Sequence, residues 1–162
     1  MKHLKSILSL ALAIAVLGSV SITAMAADNS GVEEIEREAF VSITGTLPYE
    51  TMTRATVEPV NFLHSTGIDK KLLSKNWRGT STLTTEKDID CEFYLHVQLW
   101  KDGHYYTSNN DRSSTGTWLT VNTKWVSGSD GGQFGAHSTG VITGANGEKL
   151  YDATQSCGYP FE

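Results

Sequence analysis

Beyond the apolar front of the chain lie four histidines, His64, His96, His104 and His137, and two cysteines, Cys91 and Cys157. Metal chemistry needs ligands at short, fixed spacings. None of these residues forms H-x-H, H-E-x-x-H or C-x-x-C. Asp88, Asp90 and Asp130 do not sit in a D-x-D-x-D-G calcium loop. The sequence therefore predicts no metal site and no cofactor. A serine nucleophile is equally unmarked: there is no G-x-S-x-G elbow, and Gly128-Ser129-Asp130-Gly131 is a turn sequence with the wrong spacing. A group assembled in space from Ser, His and Asp keeps a small hydrolase as the enzymatic alternative, with its catalytic residues unknown. Glycoside cleavage needs two carboxyl groups about 5–10 Å apart across a cleft. Glu86, Asp88, Asp90 and Glu92 instead crowd one strand entry, which reads as a solvated edge. Gly131-Gly132 lacks the Lys-Ser/Thr and helix of a phosphate cradle.

The most suggestive grouping is aromatic. Tyr94, His96 and Trp100 share one parity of an alternating run, with Gln98 between them. Phe93, Leu95, Val97 and Leu99 take the other parity. Asp102-Gly103 then marks a type I′ hairpin turn. A two-residue loop places Tyr105 opposite Trp100 and Tyr106 opposite Leu99. Flat rings on a rigid sheet suit stacking on a sugar or insertion into a partner's pocket. Tyr94, His96, Trp100 and Tyr105 are therefore the expected ligand-binding residues. The competing expectation is a second buried layer, with a helix at the front of the domain lying over the strip.

That helix is read at 31–41. Ser30-Gly31-Val32-Glu33 has the form of a capping box, and Val32, Ile35 and Ala39 recur at helical spacing beside Phe40. Thr44 to Pro59, with Gly45 and Pro48, reads as a linker. Residues 27–59 thus form a helix-and-linker unit, a candidate pro-segment, ahead of a β domain at 60–162. One helical turn is expected within Asp69 to Asn76. Strands are expected at Arg78–Thr85, Cys91–Trp100, from His104 to Ser108, and at Thr117–Trp125 with Leu119, Val121 and Trp125 on one face. Asn109–Gly116 reads as a polar loop. A last hairpin joins Ala136–Thr143 to Lys149–Cys157. Six or so short strands with polar turns predict an all-β fold, a small antiparallel β-sandwich with an open barrel as runner-up. His64-Ser65-Thr66-Gly67 recurs as His137-Ser138-Thr139-Gly140, but the flanks differ and no repeat is assigned.

Lys2 and Lys5, an uncharged apolar run from Ile7 to Leu17, and Ala24-Met25-Ala26 make a secretory signal cleaved after Ala26. The run is shorter than the roughly 20 residues of a spanning helix, and no later stretch could span a bilayer. The expected product is soluble and extracellular. In that compartment a lone pair of cysteines most simply bonds. Cys91 shares the inward parity of Phe93, and Cys157 that of Tyr151, so a Cys91–Cys157 disulfide is expected, worth about 4 kcal/mol in the chain-entropy model.

Composition bounds the rest. Of 162 residues, 26 belong to the signal, leaving 11 basic residues against 18 acidic ones. With that balance and no basic stripe, a nucleic-acid partner is excluded. A secreted toxin or bacteriocin-like effector is a further alternative, weakened by the same acidity, since such agents exploit anionic lipids. The leading expectation is a secreted, non-enzymatic β domain that binds a glycan, a cell surface or a protein; its oligomeric state is not legible.

Overall fold

A computed structural model describes residues 34–50, 57–114, 117–128 and 131–159. The expected signal, the expected capping box Ser30-Gly31-Val32-Glu33 and residues 129–130 lie outside them. Among the described residues nine strands run in chain order: β1 (Ile35–Glu50), β2 (Val57–Lys71), β3 (Asn76–Thr85), β4 (Cys91–Lys101), β5 (His104–Ser113), β6 (Trp118–Asn122), β7 (Val126–Ser127), β8 (Phe134–Gly144) and β9 (Lys149–Gly158). All pairings are antiparallel. One sheet has the order β1-β2-β3-β6, with β7 on the start of β3; the other has β5-β4-β8-β9. The sheets pack face to face, β1 over β9, β2 over β8, β3 over β4 and β6 over β5. This is the β-sandwich, not the barrel.

Alternation builds the core. Phe93, Leu95 and Val97 of β4 are buried between the sheets with Phe62, Leu83, Leu119 and Val121 of the first sheet. Each such side chain contributes about 1.5–3 kcal/mol by leaving water. A smaller apolar cluster, Ile68, Leu99, Val126, Phe134 and Ala136, fills one end. Between the two clusters lie buried polar residues: His64, Thr66, Ser81 and Ser138.

The front of the domain corrects the sequence reading. There is no helix among the described residues, and 35–50 is the strand β1. Its inward residues Ala39, Val41, Ile43, Gly45 and Leu47 face the partners Ile68, Thr66, His64, Phe62 and Val60, a clean period of two. A β-bulge between Arg37 and Ala39 inserts one extra residue, so Ile35 and Arg37 point outward while Ala39 points in, and the four-residue spacing of Ile35 and Ala39 is not a common face. A helix that short is marginal alone, whereas β1 pairs with β2 from Ile35 to Glu50 along one side. The described parts of the expected linker, 44–50 and 57–59, belong to the strands β1 and β2. Gly45 is required there, since a Cβ would fall 2.6 Å from Phe62 Cε1. The polar stretch 109–113 also belongs to a strand, β5, rather than to a loop.

The expected helical turn is a single tight turn, Leu72–Lys75. Lys75 N–H donates to the Lys71 carbonyl at 3.0 Å, and Lys75 takes a left-handed φ of 49°. The Asp102-Gly103 turn is of type I′, with φ of 51° and 77°.

Candidate functional site

Trp100 pairs with Tyr105, as the two-residue turn requires, but a bulge follows and Leu99 pairs with Thr107 instead of Tyr106. The bulge restores the outward parity of Ser108, Asn110 and Arg112 beside Gln98, His96 and Tyr94. On the other side of β4, the same face continues through His137, Thr139 and Val141 of β8, then Ser156, Thr154 and Asp152 of β9. Tyr94, His96, Gln98 and Trp100 are half-buried by their neighbours, and Tyr105 is 54% exposed. Tyr94 to Trp100 spans about 20 Å of strand.

These four sequence-derived residues therefore share one face, the outer face of the β5-β4-β8-β9 sheet. Among the described residues no helix covers this face, and 35–50 run along the edge of the opposite sheet. No described strand crosses the face. Its members are fixed by contacts within the plane. Trp100 Nε1–H donates to Gln98 Oε1 at 3.0 Å, and Trp100 meets Tyr105 edge to face at 6.1 Å. Tyr105 Oη and Ser108 Oγ are 3.0 Å apart. Arg112 lies 5.1 Å from the Tyr94 ring centre and pairs with Glu92 at 3.0 Å. His137 Nδ1 and Ser156 Oγ are 2.8 Å apart. Burial, and then the charge of nearby His96, hold the His137 pKa below its usual value. The surface is a flat lattice of rings and short polar groups.

The opposite outer face is closed by charge. Arg37, Asp69 and Arg78 form one row across β1, β2 and β3. Asp69 is only 2% exposed, held by Arg37 at 3.0 Å and Arg78 at 3.1 Å. Trp125, expected to share the inward face of Leu119 and Val121, instead stands outside. Arg78 and Lys71 lie 4.5 and 4.8 Å from its ring centre. The chain leaves strand geometry after Asn122, where Thr123 Oγ1 accepts the Gly79 N–H, and parity is lost there.

An open cleft of about 440 Å³ lies at the end of the smaller core cluster, lined by Glu38, Trp77, Phe134 and Tyr159 among others. Its volume suits a small ligand, but its main rings are already engaged. Trp77 and Phe134 stack on each other at 4.7 Å. Lys70 lies 4.9 Å from the Trp77 ring centre, and Lys101 lies 5.8 Å from that of Phe134.

The disulfide expectation is corrected. Both cysteines are free thiols. Cys91 pairs with Gly144 and Cys157 with Ala136, eight residues apart along β8, or about 27 Å of strand. A disulfide needs Cα atoms within about 7 Å. Burial pushes the Cys91 thiol up to about 11 and the Cys157 thiol up to about 12, so neither is an activated nucleophile.

One polar site was missed by the sequence reading. His64 is fully buried between the sheets. Its Nδ1 is 2.8 Å from Tyr151 Oη, and its Nε2 is 3.0 Å from Ser138 Oγ and 3.2 Å from Ser81 Oγ. Ser138 Oγ also meets Thr66 Oγ1. Burial lowers the His64 pKa to about 4 and raises that of Tyr151. A Ser–His pair here has no route for substrate and no carboxylate behind the ring; it joins the two sheets. The crowded acids are likewise structural or solvated. Asn61 donates to Glu86 from its backbone at 3.2 Å and its side chain at 2.8 Å, which lowers the Glu86 pKa. Asp88 and Asp90 are exposed. Among the described residues no three His, Cys, Asp or Glu side chains gather as a metal cage.

No protein-family model, curated protein or solved structure matches the chain.

Proposed function

We propose that this chain is an exported, non-enzymatic β-sandwich whose outer β5-β4-β8-β9 face binds a glycan chain. The observation that carries the reading is the mixed lattice of that face. Trp100 and Tyr105 offer apolar ring surface, and Gln98, His96, His137, Ser108 and Thr139 surround them with donors and acceptors. A sugar has the same character, an apolar ring face edged by hydroxyls. A protein hot spot would favour a deeper apolar centre. Stacking contributes about 0.5–1.5 kcal/mol per contact beyond area burial, so a weak site gains by using several rings. The in-plane hydrogen bonds limit the side-chain entropy that binding would cost. Export rests on the Ala24-Met25-Ala26 signal. A hydrolase reading has less support, since the His64–Ser138 pair is sealed in the core.

Affinity electrophoresis through gels cast with neutral polysaccharides tests this proposal, with a glycan array to choose them. The exported protein should be retarded, and Tyr105→Ala should run free. Equal retardation of the variant, or no glycan retained at all, would overturn the glycan reading.

A further inference from the structure

We propose that His96 and His137 form a two-histidine site for a borderline divalent cation, Cu²⁺, Ni²⁺ or Zn²⁺, at the centre of the outer face. These residues lie 41 positions apart in the sequence, and neither belongs to a ligand motif. The sheet brings them together. His96 pairs with Thr139 and Gln98 pairs with His137, so the two imidazoles are diagonal neighbours on adjacent strands and the same face. Such neighbours have Cα atoms about 7–8 Å apart, within reach of each other's aromatic side chains.

Ser156 lies directly opposite His137 on β9 and holds Nδ1 at 2.8 Å. Ligating histidines commonly have one ring nitrogen fixed by an outer partner, which sets the tautomer and aims the other nitrogen at the ion. Ser156 is such a positioning residue for Nε2 of His137. Imidazole suits Cu, Ni and Zn, whereas Ca²⁺ and Mg²⁺ require oxygen ligands. With two protein ligands, the remaining coordination positions would be open to solvent. The site stands whether or not the face binds a glycan.

Isothermal titration of the untagged exported chain, which lacks His3, with Cu²⁺, Ni²⁺, Zn²⁺ and Mg²⁺ chlorides tests the proposal. One equivalent should bind for the first three, with Cu²⁺ tightest, and Mg²⁺ should give no binding. Ser156→Ala should weaken binding by about tenfold without moving the melting temperature of the metal-free protein. His96→Ala and His137→Ala should each weaken it further, while His104→Ala, at the hairpin turn, should leave it unchanged. Unchanged affinity in the His96→Ala/His137→Ala double variant would overturn the proposal. So would no binding in the parent chain at millimolar metal, or equal loss in His104→Ala.

Discussion

The tetrapeptide His-Ser-Thr-Gly occurs twice, and its two copies meet opposite fates. On β2, His64 and Thr66 point inward and are buried; on β8, His137 and Thr139 point outward, and Ser138 and Gly140 turn in. The copies lie on strands that face each other across the sandwich. They interlock there: Ser138 Oγ of one copy bonds to His64 and approaches Thr66 of the other. Gly140 leaves room for the His64 ring, since a Cβ would lie 2.8 Å from Cε1. Identical residues thus do unlike work, because one step of strand parity exchanges core for surface. One histidine ties the sheets together, and the other belongs to an open face.

The comparison breaks most severely at His64. Alanine there would remove the shared partner of Tyr151, Ser81 and Ser138 and leave a cavity, at about 3–5 kcal/mol by chemical denaturation. Acid should imitate part of this. The unfolded chain takes up a proton near pH 6.5, whereas the folded chain keeps His64 neutral down to about 4. Its contribution is therefore whole above pH 6.5 and is lost as pH falls toward 4, by about 3 kcal/mol. In His64→Ala that component of the acid loss should vanish; persistence of the full slope would assign it to other groups. A smaller effect is expected at Gly140. Gly140→Ala pushes a methyl against a ring that hydrogen bonds hold from both sides, at about 1–3 kcal/mol, measured the same way. A neutral result would mean that the ring shifts freely.

Much of the sandwich was legible because alternation and turn chemistry are local signals. The β4 run, the Asp102-Gly103 turn and the last hairpin needed nothing beyond neighbouring residues. The failures each required something non-local. Val32, Ile35 and Ala39 imitate a helical stripe, and the bulge that puts Ile35 and Ala39 on opposite faces shows only once β1 is paired with β2. Parity placed Cys91 and Cys157 on inward faces, but parity says nothing about position along a strand, and the two thiols lie at opposite ends of β8's register. The candidate face was half legible. Tyr94, His96, Trp100 and Tyr105 follow from one hairpin, whereas His137 joins them only because β8 pairs with β4 across an intervening sheet crossing. The Arg37–Asp69–Arg78 row was hidden for the same reason, since it needs three strands in register.

The smallest effect on stability is expected where the effect on binding is largest. Trp100 packs on the outside of β4 against Tyr105 and Gln98, while Leu99 beside it is fully buried. The most direct test is the melting curve of Trp100→Ala, recorded together with its retention on the polysaccharide that holds the parent chain. An open binding face predicts a stability loss of about 1 kcal/mol and loss of retention. A loss of about 3–5 kcal/mol, the size expected for a large aromatic removed from a core, would contradict it and mean that the ring is covered.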